Sequence, residues 1–529
     1  MFNRSTAISG ALLASVLSLG LAGCSDSSSD SSDGPPPDDS EEPEETASAQ
    51  VRVIHAVADA PDVNVLLDSG DETETFEGLG FRGTTALTEV AAGTYDVTLE
   101  AVLPDGSAQE VLTDQVELTA GDETTLVAAG SAESEPADTD PGLKLVEVTP
   151  SDDPIGESRA RYTAVHAAAD ADPVDIFATT PDFGETEQDR KLASIAPITL
   201  SFDNNEEFDN QGSADLFAGL EQKQRRIRIV PNADDDAQEN VVFDTGSQLP
   251  PVPDGEDILA IVIDNVGTGA VDDDERPDVT NPVRLLLIYP DGQGGSNVDV
   301  FRDKDAQPAI RAAHLSQDAG SVVIRAGGNP VLTNVTFPGV VPEGEGFLAV
   351  PGGFTKSDGS VNVDVDNGTN SVDEDLPLTD GDFHTGYAAG LVADDTIDLF
   401  ASNDDIRPVA TEARVRVVHA ASVESVTNEP GGPVDVYAGP TGTDLGLVLE
   451  GVEFTDVSPY LSLGAGDYDF EVFVAQDDPP ETAPENPALS ATLTLEAGDV
   501  TTVIARDEGQ GFALDPVNDV EDVDMFKNP

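Results

Sequence analysis

The sequence predicts an all-β protein: several sandwich domains in tandem, behind a short exported leader and a tether. Three observations predict it. Short runs rich in Val, Ile, Thr, Tyr and Phe recur between Gly, Asp and Pro, the composition of strands separated by turns. After the N-terminal segment, no stretch carries the 3.6-residue apolar period of a long amphipathic helix. A unit of about a hundred residues recurs four times, room for six to eight strands with turns every 8–12 residues, which suggests immunoglobulin-like sandwiches. A propeller is the alternative, but its repeating unit of about 40–50 residues is less than half this period.

Residues 1–23 read as a secretory signal peptide. Arg4 precedes an apolar stretch from Ala7 to Ala22, too short and too soon followed by charge for a spanning helix. Leu21-Ala22-Gly23-Cys24 resembles the lipobox of bacterial lipoproteins, which implies cleavage before Cys24 and diacylglycerol on its thiol. Cys24 is the only cysteine, so no disulfide forms within the monomer. Two or three acyl chains would make the membrane a firm partner, since one chain alone binds marginally. Ser25, rather than Asp, follows the cysteine, and by the same resemblance this implies delivery to the outer membrane.

Residues 24–48 lack apolar periodicity and are made of Ser, Asp, Glu and Pro, the composition of a disordered tether. As a flexible coil, its ends lie about 25–30 Å apart, and charge and proline extend it further. Acidic residues outnumber basic ones 104 to 24 over 529 residues, for a net charge of -80. Phosphate backbones recruit basic surfaces, so nucleic acid is excluded as a partner. Six of the 24 cations are Lys and 18 are Arg. Acid excess with scarce lysine suits concentrated salt, because the Debye length shrinks from about 10 Å at 0.1 M to about 3 Å at 1 M. A marine or halophilic source is expected.

The four units fall at 49–150, 157–291, 307–403 and 412–516, with an acidic tail at 517–529. Each opens on one pattern: AQVRVIHAVADAPDVNVLL, ARYTAVHAAADADPVDIFA, PAIRAAHLSQDAGSVVIRA and ARVRVVHAASVESVTNEPGGPVDVYA. His55, His166, His314 and His419 mark the same place in each, separated by 111, 148 and 105 residues. By the period of two, Val51, Val53 and His55 face one side of the first strand and Arg52 and Ile54 the other. The second unit is the most divergent, with acidic insertions at 181–212 and 266–281. The R-V-x-H-A opening, the following D-A-P and V-D-V, and the A-G-x-Y-x-V turn resemble the domain of unknown function 4397 family. That resemblance implies a β-sandwich and an envelope location, and it carries over no catalytic residue.

Among candidate sites the histidines come first. Asp59, Asp170 and Asp318 follow three of them by four residues, but Val423 stands there in the fourth unit. The preferred reading is a core histidine whose ring bonds a loop carbonyl or that aspartate. His384 occurs in the third unit only. Residues 78–83 match G-x-G-x-x-G, a dinucleotide fingerprint that works only at a strand-to-helix turn, and β pattern follows here. Acid clusters at Asp364, Asp366, Asp373 and Asp375, and at 272–275, are the only calcium candidates, and solvated loops are preferred for both. Residues 223–228 form a basic stretch expected to pair with nearby acids along a strand. No cofactor, catalytic or metal residues are assigned, and the chain is expected not to be an enzyme. The function predicted is a lipid-anchored, surface-exposed adhesion module with a protein or polysaccharide ligand. A periplasm-facing structural or assembly lipoprotein is the alternative.

Overall fold

The computed structural model describes residues 47–519 apart from 133–141, 152, 157–158, 170, 172, 180–197, 201–210, 218–225, 232–240, 248, 251–254, 266–282, 294, 342–346, 351–358, 423–431 and 510. Cys24, the tether up to residue 46, the tail beyond 519, Asp170, residues 223–225, Val423 and the acids at 272–275 lie outside the described residues. Every element described is a strand, and no described helix is long and apolar enough to cross a membrane.

The first sandwich holds β1 (Ser48–His55), β2 (Val63–Asp68), β3 (Thr73–Leu79), β4 (Thr88–Ala91), β5 (Gly93–Val102), β6 (Ala108–Leu118), β7 (Glu123–Ala129) and β8 (Lys144–Val148). They form two sheets, β4-β1-β7-β8 and β3-β2-β5-β6. Only β1 and β7 run parallel; every other pair is antiparallel. Alternation explains the layering. Val51 and Val53 of β1 meet Val63, Val65 and Leu67 of β2, Tyr95, Val97 and Leu99 of β5, and Leu126 of β7 in one core. The β5–β6 hairpin turns at Gly106, whose φ of 80° an L side chain resists, and the Leu103 N–H closes it on the Ser107 carbonyl at 2.8 Å.

The other three units repeat this order. The parallel pair recurs as Arg159–His166 with Asp257–Asp264, Ala309–His314 with Phe383–Ala389, and Ala413–Ala420 with Val500–Glu508. In the second unit Ser296–Phe301, C-terminal to the end expected at 291, adds a fifth strand beside Val283–Pro290. The molecule is thus a tandem array of immunoglobulin-like sandwiches.

What the strand alternation does not reveal is where the second face of β1 goes. Ile54, Val127, Val146 and Val148 pack against Val165, Ile261, Ile263, Leu286 and Ile288 of the second unit, all nearly inaccessible. Each such side chain contributes about 1.5–3 kcal/mol on burial, so this contact is a second core and not a wet domain boundary. Units three and four pair in the same way, through Ala313, Leu315, Tyr387 and Ala389 against Val418, Ala420 and Ile504.

Polar contacts join the two pairs. Arg284 donates to the Gly381 carbonyl at 2.7 Å and to Asp382 at 2.6 Å, and Arg302 reaches Asp382 at 2.9 Å. Arg407, on the connector into the fourth unit, donates to the Ala58 and Ala60 carbonyls at 2.8 and 2.7 Å. Arg82 and Arg407 both lie over the Phe81 ring.

Candidate functional site

His55, His166 and His314 end the first strand of their units and His419 stands one residue before the end of its own, all four buried. The Val57 N–H donates to Nδ1 of His55 at 3.3 Å, which leaves Nε2 as the protonated nitrogen donating to the Pro61 carbonyl at 3.0 Å. His419 repeats this with Ala421 and Gly432, and Nε2 of His314 meets Gly320 at 2.7 Å. A phenylalanine stands edge-on to each ring at 6.3–6.4 Å: Phe81, Phe337 and Phe454. Burial pushes the His55 ring down to about 4, and it also lowers His314 and His419. His166 is buried at the corresponding place. The histidines lie in four separate cores, so they assemble no common site. Nδ1 of His384 donates to the Ser402 carbonyl at 3.2 Å, and its Nε2 receives the Thr379 N–H at 2.9 Å.

Asp59 and Asp318 do not bond their histidines. Asp59 accepts from Ser131 Oγ and the Ala132 N–H, and Asp318 accepts from the Val392 and Ala393 N–H groups at 2.8 Å. Each ties the first loop to the exit of the seventh strand. The second and fourth units make the same tie from the opposite side: Asp264 and Asp507 leave that strand and accept from Ala169 and Ser422.

The other candidates are also engaged. Arg325 bonds Asp364 at 2.6 Å and Asp366 at 3.2 Å, and Asn362 reaches Asp375 at 3.0 Å. Among the described residues, no group of three or more His, Cys, Asp or Glu is placed to hold a metal. Arg226 and Arg228 share Asp244, at 3.4 and 2.9 Å. The G-x-G-x-x-G stretch begins on the last two residues of β3 and runs into the loop before β4, with no helix to receive a pyrophosphate.

The strongest chemistry lies where units three and four face each other. Arg311 stands opposite Thr385 in the parallel pair, and Arg416 stands opposite Thr502. Each arginine donates Nε to its threonine, at 2.7 and 2.8 Å, and extends its terminal nitrogen to an aspartate at, or one residue past, the end of the other unit's last strand. Arg311 bonds Asp519 and Arg416 bonds Asp404. Each aspartate also accepts its own unit's threonine hydroxyl. The result is a twofold-like exchange of buried charge. Two guanidinium neighbours hold the Asp404 carboxyl below the usual carboxylate range despite its burial.

Units one and two meet differently. The corresponding region is a cleft of about 330 Å³ reached by Arg52, Thr125, Thr163, Pro150, Tyr289 and Pro290. Arg52 is 9 % exposed, and its Nε has no partner. Sequence reasoning missed this arginine although its signal was present: it stands three residues before the histidine in three of the four openings.

The family described as "Domain of unknown function (DUF4397)" matches residues 49–177, 308–428 and 421–525. No curated protein matches the chain. Among solved structures, a family 26 carbohydrate-binding module from Eubacterium rectale, in complex with maltoheptaose, is 12 % identical, with 40 % of this chain and 91 % of that one covered and a TM-score of 0.14. The tip fimbrial protein Mfa3 of Porphyromonas gingivalis is 9 % identical, with 48 % and 99 % covered and a TM-score of 0.13. BcpA, the major pilin subunit of Bacillus cereus, is 9 % identical, with 66 % and 98 % covered and a TM-score of 0.12. At these TM-scores the likenesses carry no argument.

Proposed function

The chain belongs to the DUF4397 domain family, and from that premise we propose that it is a lipid-anchored, non-enzymatic binding module of the bacterial cell envelope. The observation that carries this reading is the use made of the buried polar groups. His55, His314 and His419 are held by loop carbonyls, with burial lowering the pKa of each ring, and the buried Arg–Asp pairs join the third sandwich to the fourth. Groups spent on rigidity in this way are not poised for proton transfer, which requires a free nitrogen and a pKa near the working pH. A rigid array of sandwiches presenting end loops suits recognition of a protein or polysaccharide. Leu21–Cys24 and the tether supply the attachment, and the acid excess suits concentrated salt.

Protease shaving of intact cells in native salt, with mass spectrometry of released peptides, tests this. Peptides from 49–515 in the supernatant, with a periplasmic marker untouched, are the expected result. Protection until the outer membrane is breached overturns surface display and favours a periplasm-facing structural role. Cys24→Ser moves the protein from the membrane fraction to the soluble one if the cysteine carries the anchor.

A further inference from the structure

Four positions define the exchange between units three and four: an arginine on the first strand of each, and an aspartate at the end of the partner's last strand. Register places their counterparts in units one and two. Arg52 is opposite Thr125, as Arg311 is opposite Thr385 and Arg416 opposite Thr502. Asp404 pairs with Phe383, two residues before Thr385, and the Asp519 N–H bonds the Val500 carbonyl, two before Thr502. Extending the Thr125–Val148 and Leu259–Ile288 pairings by two residues places Pro150 and Pro290 at those sites. Both aspartates are therefore prolines, and the second arginine is Thr163, opposite Leu259.

Arg52 thus keeps the burial and the threonine neighbour of its counterparts but has no carboxylate. Among the described residues it makes no hydrogen bond or ion pair; burial lowers its pKa, and the neighbouring charge that opposes this is Glu123, which is exposed. A buried guanidinium without a partner is expensive, and here it faces a cleft large enough for a small molecule. Asp122, Glu123 and Glu256 also line that cleft, as does Asp257, which lies 3.8 Å from Arg161. A simple anion meets repulsion there, whereas a carboxylate with a cationic group behind it satisfies both the arginine and the rim.

We infer that the cleft between the first two sandwiches binds a small zwitterion, its carboxylate on Arg52 and its ammonium toward the acidic rim. The paired sandwiches three and four show the recognition in internal form, a carboxylate delivered from across the interface to the same arginine position. This inference does not depend on where the protein resides in the envelope, and its test is separate from cell shaving.

Three matched probes separate the two charges: 6-aminohexanoate, 6-aminohexanamide, which lacks the carboxylate, and hexanoate, which lacks the ammonium. Titration calorimetry of the mature chain in molar salt is expected to show binding of the first, with each of the others at least tenfold weaker. Arg52→Met lowers the affinity for 6-aminohexanoate at least tenfold. Pro290→Asp places a carboxylate where the fourth unit has Asp519, so it abolishes binding and raises the melting temperature. That second variant keeps the test decisive should Arg52→Met unfold the protein. Binding of the amide as tight as that of the zwitterion, binding unaffected by Arg52→Met, no binding of any probe, or a Pro290→Asp protein that still binds overturns the inference.

Discussion

Replacing Asp404 by Asn tests the charge exchange most directly. The side chain is fully buried, accepts Thr385 Oγ1, Ser402 Oγ and Arg416 at 2.6 Å, and lies 3.9 Å from Arg311. Asn keeps the shape but leaves two buried guanidinium groups sharing Asp519 alone. Breaking one side of a buried pair costs about 3–5 kcal/mol. For a paired block of roughly 200 residues, 1 kcal/mol moves the midpoint by about 2–4 °C, so the expected drop is about 6–20 °C. Calorimetry in concentrated salt reads it as a shift of one transition. Were Asp404 only one more acid on a chain of net charge -80, its neutralisation would relieve repulsion and raise the midpoint. The sign therefore discriminates. Adding Arg416→Met removes the orphaned cation, so the double variant is less destabilised than the sum of the singles by about 0.5–3 kcal/mol. A loss below about 1 kcal/mol for the single variant, or strict additivity, refutes the exchange.

Three further outcomes follow from other parts of the structure. His55 has a folded pKa of about 4 against an unfolded value of 6.5, so the unfolded chain binds more protons between them and stability falls as pH drops through that window. The loss approaches about 3 kcal/mol by pH 4; urea midpoints across pH 4–7 should flatten by about one proton in His55→Gln, and an unchanged slope would sink this account. Leu286, inaccessible between the first two sandwiches, costs about 2–5 kcal/mol on truncation to Ala, and a loss under about 1 kcal/mol in the same urea assay would mean that the face is not a core. Dilution from about 2 M to 0.05 M sodium chloride lowers the melting temperature, because surface acids repel over a Debye length that lengthens several-fold; a rise on dilution contradicts the proposed salt adaptation.

Much of the fold was legible because its cause is local. Val51, Val53 and His55 alternate as a strand must, and the recurring histidine marks the units without any knowledge of pairing. The parallel pairing of β1 with β7 is a contact between residues more than 70 apart, which no local pattern encodes. The outward face was harder still. Ile54 and Arg52 read as the second side of a strand, and only the partner sandwich makes one of them core and the other a lone cation. Asp59 misled for a related reason. A spacing of four residues after His55 suggests contact, yet the strand ends at the histidine and the chain turns, so the carboxylate reaches Ser131 instead.

The same geometry accounts for an unusual division of charge. Among the described residues, eight arginines are buried: Arg52, Arg161, Arg228, Arg284, Arg311, Arg414, Arg416 and Arg506. Only Arg52 among them has no hydrogen-bonding partner, and the others bond carboxylates, amides, carbonyls or hydroxyls. Guanidinium suits these buried positions because its planar fork reaches several acceptors at once and it is less strongly hydrated than an ammonium. With 104 acids against 24 cations, and eight of those cations drawn inward, most surface acids have no partner of opposite sign. Salt then acts on two populations in opposite degree: it screens the exposed acids strongly and the buried pairs hardly at all. The joints between sandwiches can therefore stay ionic in a medium that dissolves surface ion pairs. In the one joint that lacks its aspartates, the same arginine is left to a partner from outside the chain.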